Sequence, residues 1–590
     1  MTKADNTKDR PVVSRRTVLT GTGALAGGAL VGTALLRSDV VAQEGQEVQV
    51  PATPVALGPV MPPEYTDYAN DWPTQNGNLA NTRTSASTPI DSSNVNTLGI
   101  AWSYPLNVAG TYGALTSAPI INGNTVYLVD MQSNLYAIDK TTGQTLWTKQ
   151  YNVPTEGPNG VTVAYGYLFS VLGDTSEVVA IDVATQQDVW RVTLSNNSGE
   201  GIDIAPVVYD NTVYVSTVPG NSTAFYRGGQ KGIFYALDAS SGKTIWQWET
   251  TTDDLWGNGR VNSGGGLWNP PAIAGDGTLF LSVANGSPWP GNSQFPNGSS
   301  RPGDNDYANN LVSLDPTTAS VNWNVNVKRH DLFDLDNHLS PVLATVDIGG
   351  VPVEVVITSG KHGYVIAVAV TSGVPIWKVA VGRHMNDELQ EIPEGTTVEV
   401  FPGSLGGVET CLAVANGMVF APIMNRSVTY SSTARQDSQT LDQSTGGLVA
   451  IDAATGQIKW QVDSPTPFLG AATVANDLVF TGGLDGLIRA YNVADGTLVW
   501  SAQGTAGINA PFAISGDYII IPTTAAFIAS SDSGDIGQTA LAVHAFKLGA
   551  SGATPAPAEI APADNAATPV NPGEGTVPAD SAATPIAPTT

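Results

Sequence analysis

The sequence predicts an all-β protein: an eight-bladed β-propeller of four-stranded blades, docked by repeated tryptophans, with the last blade closed by both chain termini. Three observations predict it. Apolar runs are short and turn-bounded in a chain of 590 residues with 63 Gly and 39 Pro, which favours strands over long helices. One phrase recurs, reading AIDKTTGQTLW up to Trp147 and returning in variant form up to Trp190, Trp246, Trp323, Trp377, Trp460 and Trp500. A further strand phrase, GIAWSYP around Trp102, stands alone near the N-terminus, while GDYIIIPTT and TALAVHAFKL near the C-terminus lack a closing strand.

Each copy of the phrase is a strand end, a turn built on Asp and usually Gly, and a second strand opening on Trp, which is hairpin chemistry. The shortest spacing between successive tryptophans is 40 residues, enough for four short strands, and strand repeats of that length are propeller blades. Seven copies plus the two unmatched ends make eight. Pairing those ends removes the exposed edges that would otherwise invite aggregation.

The remaining segments follow in chain order. Residues 1–42 read as a twin-arginine signal peptide: Arg15 and Arg16 precede a Gly/Ala-rich apolar segment and a small-residue site ending at Ala42, an address for export to the periplasm, cell envelope or medium. That segment is short for a stable membrane span, and no later stretch is long enough to cross a bilayer. Residues 43–70 read as a polar linker, 71–548 as the propeller, and 549–590, rich in Ala, Pro and Thr, as a disordered tail unable to bury a core. The formal charge of −27 argues against a nucleic-acid partner, since phosphate binding relies on Lys and Arg. The single cysteine, Cys411, excludes an intrachain disulfide and a covalently attached c-type haem; it reads as packed in a strand. Electrons, if they move, leave to a separate acceptor.

The chemistry concentrates in residues 264–337, where GGGLWNPP, NGSPWPG, RPGDN and KRHDLFDLDN place Trp, Asn and paired Asp at strand ends. Carboxylate and amide oxygens suit hard cations, and an aromatic face suits a flat cofactor, so Trp268, Asn285, Asp334 and Asp336 are the candidate set. Composition alone also allows Trp268 as a core aromatic, Asn285 as a turn former, the Asp pair as a turn cap and Lys361 as a surface lysine. Trp256 and Trp289 suit either a cavity mouth or rim packing. The five histidines show no metal-type spacing and read as structural or exposed.

The repeat, the segment WPTQNGNLANTR at 72–83, the 264–337 block, PGSLGGVE at 402–409 and LVFTGGLDGLIRAYN at 478–492 together resemble the pyrroloquinoline quinone (PQQ)-dependent alcohol dehydrogenases. The resemblance implies a quinone on the propeller axis stacked on Trp268, and a calcium or lanthanide ion held by Asn285 and Asp334. It further implies Asp334 as the catalytic base, Asp336 as the extra carboxylate of lanthanide-using members, and Lys361 as the cation beside the quinone oxygen. The chain departs from the family where a metal-binding Glu is expected and Arg227 stands, where a vicinal disulfide is expected near Pro154-Thr155-Glu156, and at Thr116 and Asn134. Two functions follow: an exported quinoprotein oxidising an alcohol, aldehyde or sugar, or a non-catalytic propeller binding a protein or ligand at the envelope.

Overall fold

The computed structural model describes residues 57–552, apart from residues 86, 109, 197–199, 220–230, 252–260, 438 and 526–539. The leader, the C-terminal tail, Arg227 and Trp256 therefore lie outside the described residues. No helix among the described residues is long and apolar enough to cross a membrane. The segment expected as linker carries a single-turn helix, Pro63–Asp67, and its Tyr65 is buried. Leu57 donates its backbone N–H to Asn211 Oδ1 at 2.7 Å, so this part of the chain packs rather than tethers.

Among the described residues the strands form eight sheets of at least four strands, each built on antiparallel neighbours, with one further short strand, Thr84–Ser85, added parallel to the edge of the seventh. Sheet one contains Ile120–Asn122, Thr125–Val129, Leu135–Asp139 and Thr145–Lys149. Sheets two to seven repeat the pattern, with fourth strands Asp188–Thr193, Thr244–Glu249, Val321–Asn326, Pro375–Ala380, Ile458–Ser464 and Leu498–Gln503. In sheet eight the strands Ala513–Ser515, Tyr518–Thr523 and Ala542–Leu548 are completed by Leu98–Pro105. Middle strands are almost wholly buried, as in Thr212–Ser216, while fourth strands alternate between exposed and half-buried residues, as in Thr244–Glu249. This is the burial expected of sheets stacked on both faces at their centres and wet at their outer edges.

Six of the docking tryptophans lie against the turn of the following sheet, and Trp246 Nε1 donates to Pro316 O there at 2.8 Å. Trp190 Nε1 donates to Ala239 O at 2.9 Å, Trp323 to Val370 O at 2.9 Å, Trp377 to Ala453 O at 3.0 Å and Trp460 to Val493 O at 2.9 Å. Trp102 of sheet eight makes the same bond to Lys140 O of sheet one, at 2.7 Å. The turn glycine is required twice over: Gly496 has φ +73° and an added Cβ would sit 2.6 Å from the Trp460 ring, a conformation and a contact that only Gly accepts. Burial is graded. Trp460 and Trp102 are buried, whereas Trp147 and Trp246 are half-exposed, short of the full burial that the repeat alone suggests. Trp460→Ala is therefore expected to cost about 3–5 kcal/mol in urea unfolding and Trp147→Ala distinctly less, because the turn facing Trp147, VATQQ at 183–187, has no glycine on which an indole can lie flat.

The segment 72–85 explains its own unusual sequence. Trp72 exchanges backbone bonds with Ile121 of sheet one, and the carbonyls of Leu79, Ala80, Thr82 and Arg83 accept from Ile273, Leu343, Val414 and Val474 in the first strands of sheets four to seven. Asn81 Nδ2 donates to Pro271 O and Pro341 O at 3.1 and 3.0 Å. Arg83, fully buried, donates to Ala472 O, Phe512 O, Thr473 Oγ1 and Asn76 Oδ1 at 2.7–3.0 Å. A buried guanidinium is tolerated when its fork is satisfied in this way. The first strands of five sheets are thus tied to one N-terminal segment.

His544 gives sheet eight a pH dependence. Its Nδ1 pairs with Ser103 Oγ at 2.8 Å across the strand from the N-terminus, and its Nε2 lies 3.1 Å from both Thr505 Oγ1 and Thr523 Oγ1. Burial lowers its pKa from 6.5 to about 4. The unfolded chain takes up the proton first as pH falls, so this contribution to stability is full above pH 6.5 and is lost toward pH 4. Between pH 7 and pH 5 the loss amounts to about 2 kcal/mol. His544→Gln is expected to flatten the pH dependence of the urea midpoint over that range.

Candidate active site

The candidate residues are delivered by loops at the ends of sheets three to five. Gly264 pairs with Gly286, and a Cβ on Gly264 would stand 2.5 Å from Asn285 O, so the glycine run lets the Trp268 loop pass directly over the Asn285 backbone. Asn285 follows the strand Leu279–Ser282. Asp334, at φ 63°, and Asp336 lie in the loop that enters sheet five. Asp331, rather than the Asp334/Asp336 pair, caps this loop: its carboxylate accepts from Phe333 N at 3.1 Å, Leu335 N at 2.8 Å and Asn285 Nδ2 at 2.8 Å. Arg301 of the RPGDN stretch fixes the loop from below, donating to Asp331 O, Pro288 O and Asn305 Oδ1.

With the cap assigned to Asp331, Asp334 and Asp336 are left to face a cation. Lys361 Nζ lies 3.2 Å from Asp334 Oδ2 and 3.1 Å from Asp336 Oδ2, half-buried at the site rather than free at the surface. Asn285 touches both carboxylates, its Nδ2 3.4 Å from Asp334 Oδ1 and its backbone N–H 3.2 Å from Asp336 Oδ1. Ser404 Oγ donates to Asp334 Oδ2 at 2.6 Å. Burial raises the Asp334 pKa to about 6 against the opposing pull of Lys361. Burial works against the Lys361 charge, but Asp334, Asp336 and Glu409 outweigh it and hold the ammonium well above its ordinary pKa.

These groups open on a cavity of about 280 Å³ lined by Trp268, Asp334, Asp336 and Lys361, together with Tyr112, Glu156, Trp289, His338, Ser404, Glu409, Cys411 and Arg435. Asn285 stands behind the Asp pair. Trp289 reaches the cavity, with the Arg435 guanidinium 5.3 Å from its ring centroid. His338 lines the same cavity, against the expectation that the histidines serve only as structural or exposed groups. Cys411 precedes the strand Ala413–Ala415 and borders the cavity instead of packing within a strand. Glu409 and Ser404 were not singled out by residue type; both fall within PGSLGGVE, so the motif held the signal without naming the residues. Burial raises the Glu409 carboxyl to about 8, against the opposing pull of Lys361, and lowers the His338 imidazole to about 4.

Comparison with known proteins places this geometry. A family model described as "Glucose/ethanol/alcohol dehydrogenase, beta-propeller domain" matches residues 196–388. A second, described as "Outer membrane protein assembly factor BamB", matches residues 93–220 and 361–543, more than half of the chain. The chain is similar to the PQQ-dependent alcohol dehydrogenases. It shares 26% identity with the quinohemoprotein alcohol dehydrogenase of Comamonas testosteroni over 75% of this chain and 70% of that protein. It is 23% identical to the lanthanide-dependent methanol dehydrogenase of Methylacidiphilum fumariolicum over 74% and 81%. The crystal structure of the Comamonas testosteroni enzyme superposes with a TM-score of 0.71 at 22% identity, covering 83% of this chain and 82% of that one, which shows a common fold.

The residues present fit the family's cofactor and cation. Asp334 and Asp336 share the single ammonium of Lys361, which leaves negative charge for a metal ion, and the Asn285 amide lies beside them as a third hard donor. Among the described residues no three His, Cys, Asp or Glu side chains converge on one point, so Asn285 is needed to complete such a set. Trp268 lines the cavity and brings an aromatic ring of the kind that a flat quinone can stack on.

Proposed function

We propose that this protein is an exported quinoprotein oxidoreductase that oxidises an alcohol, aldehyde or sugar with PQQ and a bound calcium or lanthanide ion. The observation that carries the reading is the Asp334–Lys361–Asp336 triad, two buried carboxylates sharing one lysine at a cavity that Trp268 also lines. Asn285, Asp334 and Asp336 would hold the cation, with Trp268 and Lys361 contacting the cofactor. The bound quinone would supply the two-electron acceptor for the hydride that leaves the alcohol carbon. Asp334 takes the alcohol proton; Ser404 Oγ fixes the carboxylate, and Lys361 stabilises it in the charged form that a base needs. Lys361 also presents positive charge to an oxygen that gains electron density. The cavity walls exclude water from the reacting groups.

The twin-arginine leader of residues 1–42 supports export to the periplasm or envelope, with 43–70 as the approach segment, 71–548 as one eight-bladed ring closed by both termini, and 549–590 as a tail. Electrons pass to a separate acceptor; one relative, from Thauera butanivorans, is named "1-butanol dehydrogenase (cytochrome c)". The scaffold reading is supported less well, since a propeller used only for docking has no need of two carboxylates and a lysine buried at one cavity. Full-length protein titrated with PQQ and calcium or lanthanum ions is expected to bind both at micromolar concentration and to reduce a dye with a primary alcohol. Binding of neither would end the oxidoreductase reading and leave the scaffold.

A further inference from the structure

We propose that Asp203 is a positioning residue for the cavity: its carboxylate clamps residues 155–157 and so fixes the stretch of wall that Glu156, Gly157 and Pro158 present to the quinone. This rests on the oxidoreductase reading for the cofactor, whereas the clamp is a contact within the chain. Glu156, Gly157 and Pro158 line the same cavity as Trp268 and Lys361. They belong to the connection between strands Thr145–Lys149 and Val161–Ala164. Asp203 comes from elsewhere, the approach to strand Val207–Tyr209 of sheet three. Its Oδ1 accepts from Glu156 N at 2.9 Å, from Gly157 N at 3.2 Å and from Thr155 Oγ1.

Three donors meet on one oxygen of a residue that is only 2% exposed. Proline has no N–H, so Glu156 and Gly157 carry both backbone donors of the stretch, and Asp203 takes both. Backbone bonds anchor the connection just before it, from Val153 N to Gln132 O at 2.9 Å and from Thr155 N to Met131 O at 3.2 Å. No disulfide can hold the stretch in a chain with one cysteine. Gly157 is closely seated as well: its φ is +70°, and an added Cβ would stand 2.5 Å from Thr116 Oγ1. A wall that is ordered before its ligand arrives spares the ordering cost at binding. Releasing three donors from one acceptor would bring that cost back.

Full-length Asp203→Ala and Asp203→Asn, set beside wild type, separate the clamp from the cofactor. In Asp203→Ala the amides of Glu156 and Gly157 are expected to exchange with deuterium about tenfold faster or more, while strands Val161–Ala164 and Tyr167–Leu172 exchange as before. PQQ affinity, read by tryptophan quenching in calcium buffer, is expected to fall about tenfold or more in the same variant. Asp203→Asn keeps an acceptor oxygen and is expected to restore both. Wild-type exchange at 156 and 157 in the alanine variant overturns the clamp. Faster exchange there with wild-type PQQ affinity overturns the positioning role. Faster exchange throughout sheets two and three makes Asp203 a support of the fold in general and overturns it too. Wild-type protein that binds no PQQ fails the oxidoreductase reading, and exchange at 156 and 157 then decides the clamp alone.

Discussion

Asp334→Ala is expected to lower PQQ-dependent dye reduction by about 10²–10⁴-fold, the range a positioned general base contributes, with little change in thermal midpoint. The asymmetry follows from the contacts. Asp334 accepts from Lys361, Ser404 and Asn285, but Lys361 keeps Asp336 at 3.1 Å, so the ammonium is not left alone when one carboxylate goes. Asp334→Asn retains the shape and one acceptor oxygen yet loses the base and the negative charge, and should fall as far as the alanine variant. Asp336→Asn tests the division of labour: it should weaken lanthanide binding more than calcium binding, because a trivalent ion draws more on added negative charge. Parity of Asp334→Ala with wild type in single-turnover kinetics would remove Asp334 from the chemistry.

The sheets and the docking tryptophans were legible because they repeat. Nearly every turn carries its own reason, an Asp that folds it or a Gly that accepts an indole, so seven variants of one phrase confirm one another. The candidate set was legible in part. Trp268, Asp334, Asp336 and Lys361 line one cavity, and Asn285 touches both carboxylates. The division of roles within KRHDLFDLDN was not legible: three Asp within six residues look alike in sequence, and only the backbone N–H groups of Phe333 and Leu335 show that Asp331 caps the loop. Glu409 and His338 escaped for a related reason. The fold brings them side by side at the cavity wall, a property of the folded neighbourhood that residue spacing does not carry. Helix Pro63–Asp67 is a single turn and leaves no apolar periodicity to detect.

Deleting residues 71–104 is expected to yield insoluble protein or protein without a cooperative urea transition, the largest structural effect foreseen. The deletion removes Leu98–Pro105 almost entirely, the strand that pairs with Ala542–Leu548 along its length, and exposes the unpaired edge of that C-terminal strand, a template for aggregation. It removes Trp102, whose indole bonds Lys140 O of sheet one. It also removes Arg83 and the segment whose carbonyls cap the first strands of sheets four to seven, stranding donors in the interior at about 1–3 kcal/mol each. Such losses exceed the few kcal/mol by which a typical domain is stable. Deleting residues 553–590 touches none of these contacts, and its unfolding curve should overlay that of the full chain. A soluble, two-state 71–104 deletion would mean that sheet eight holds without its N-terminal strand, and that the two ends of the chain do not cooperate in folding.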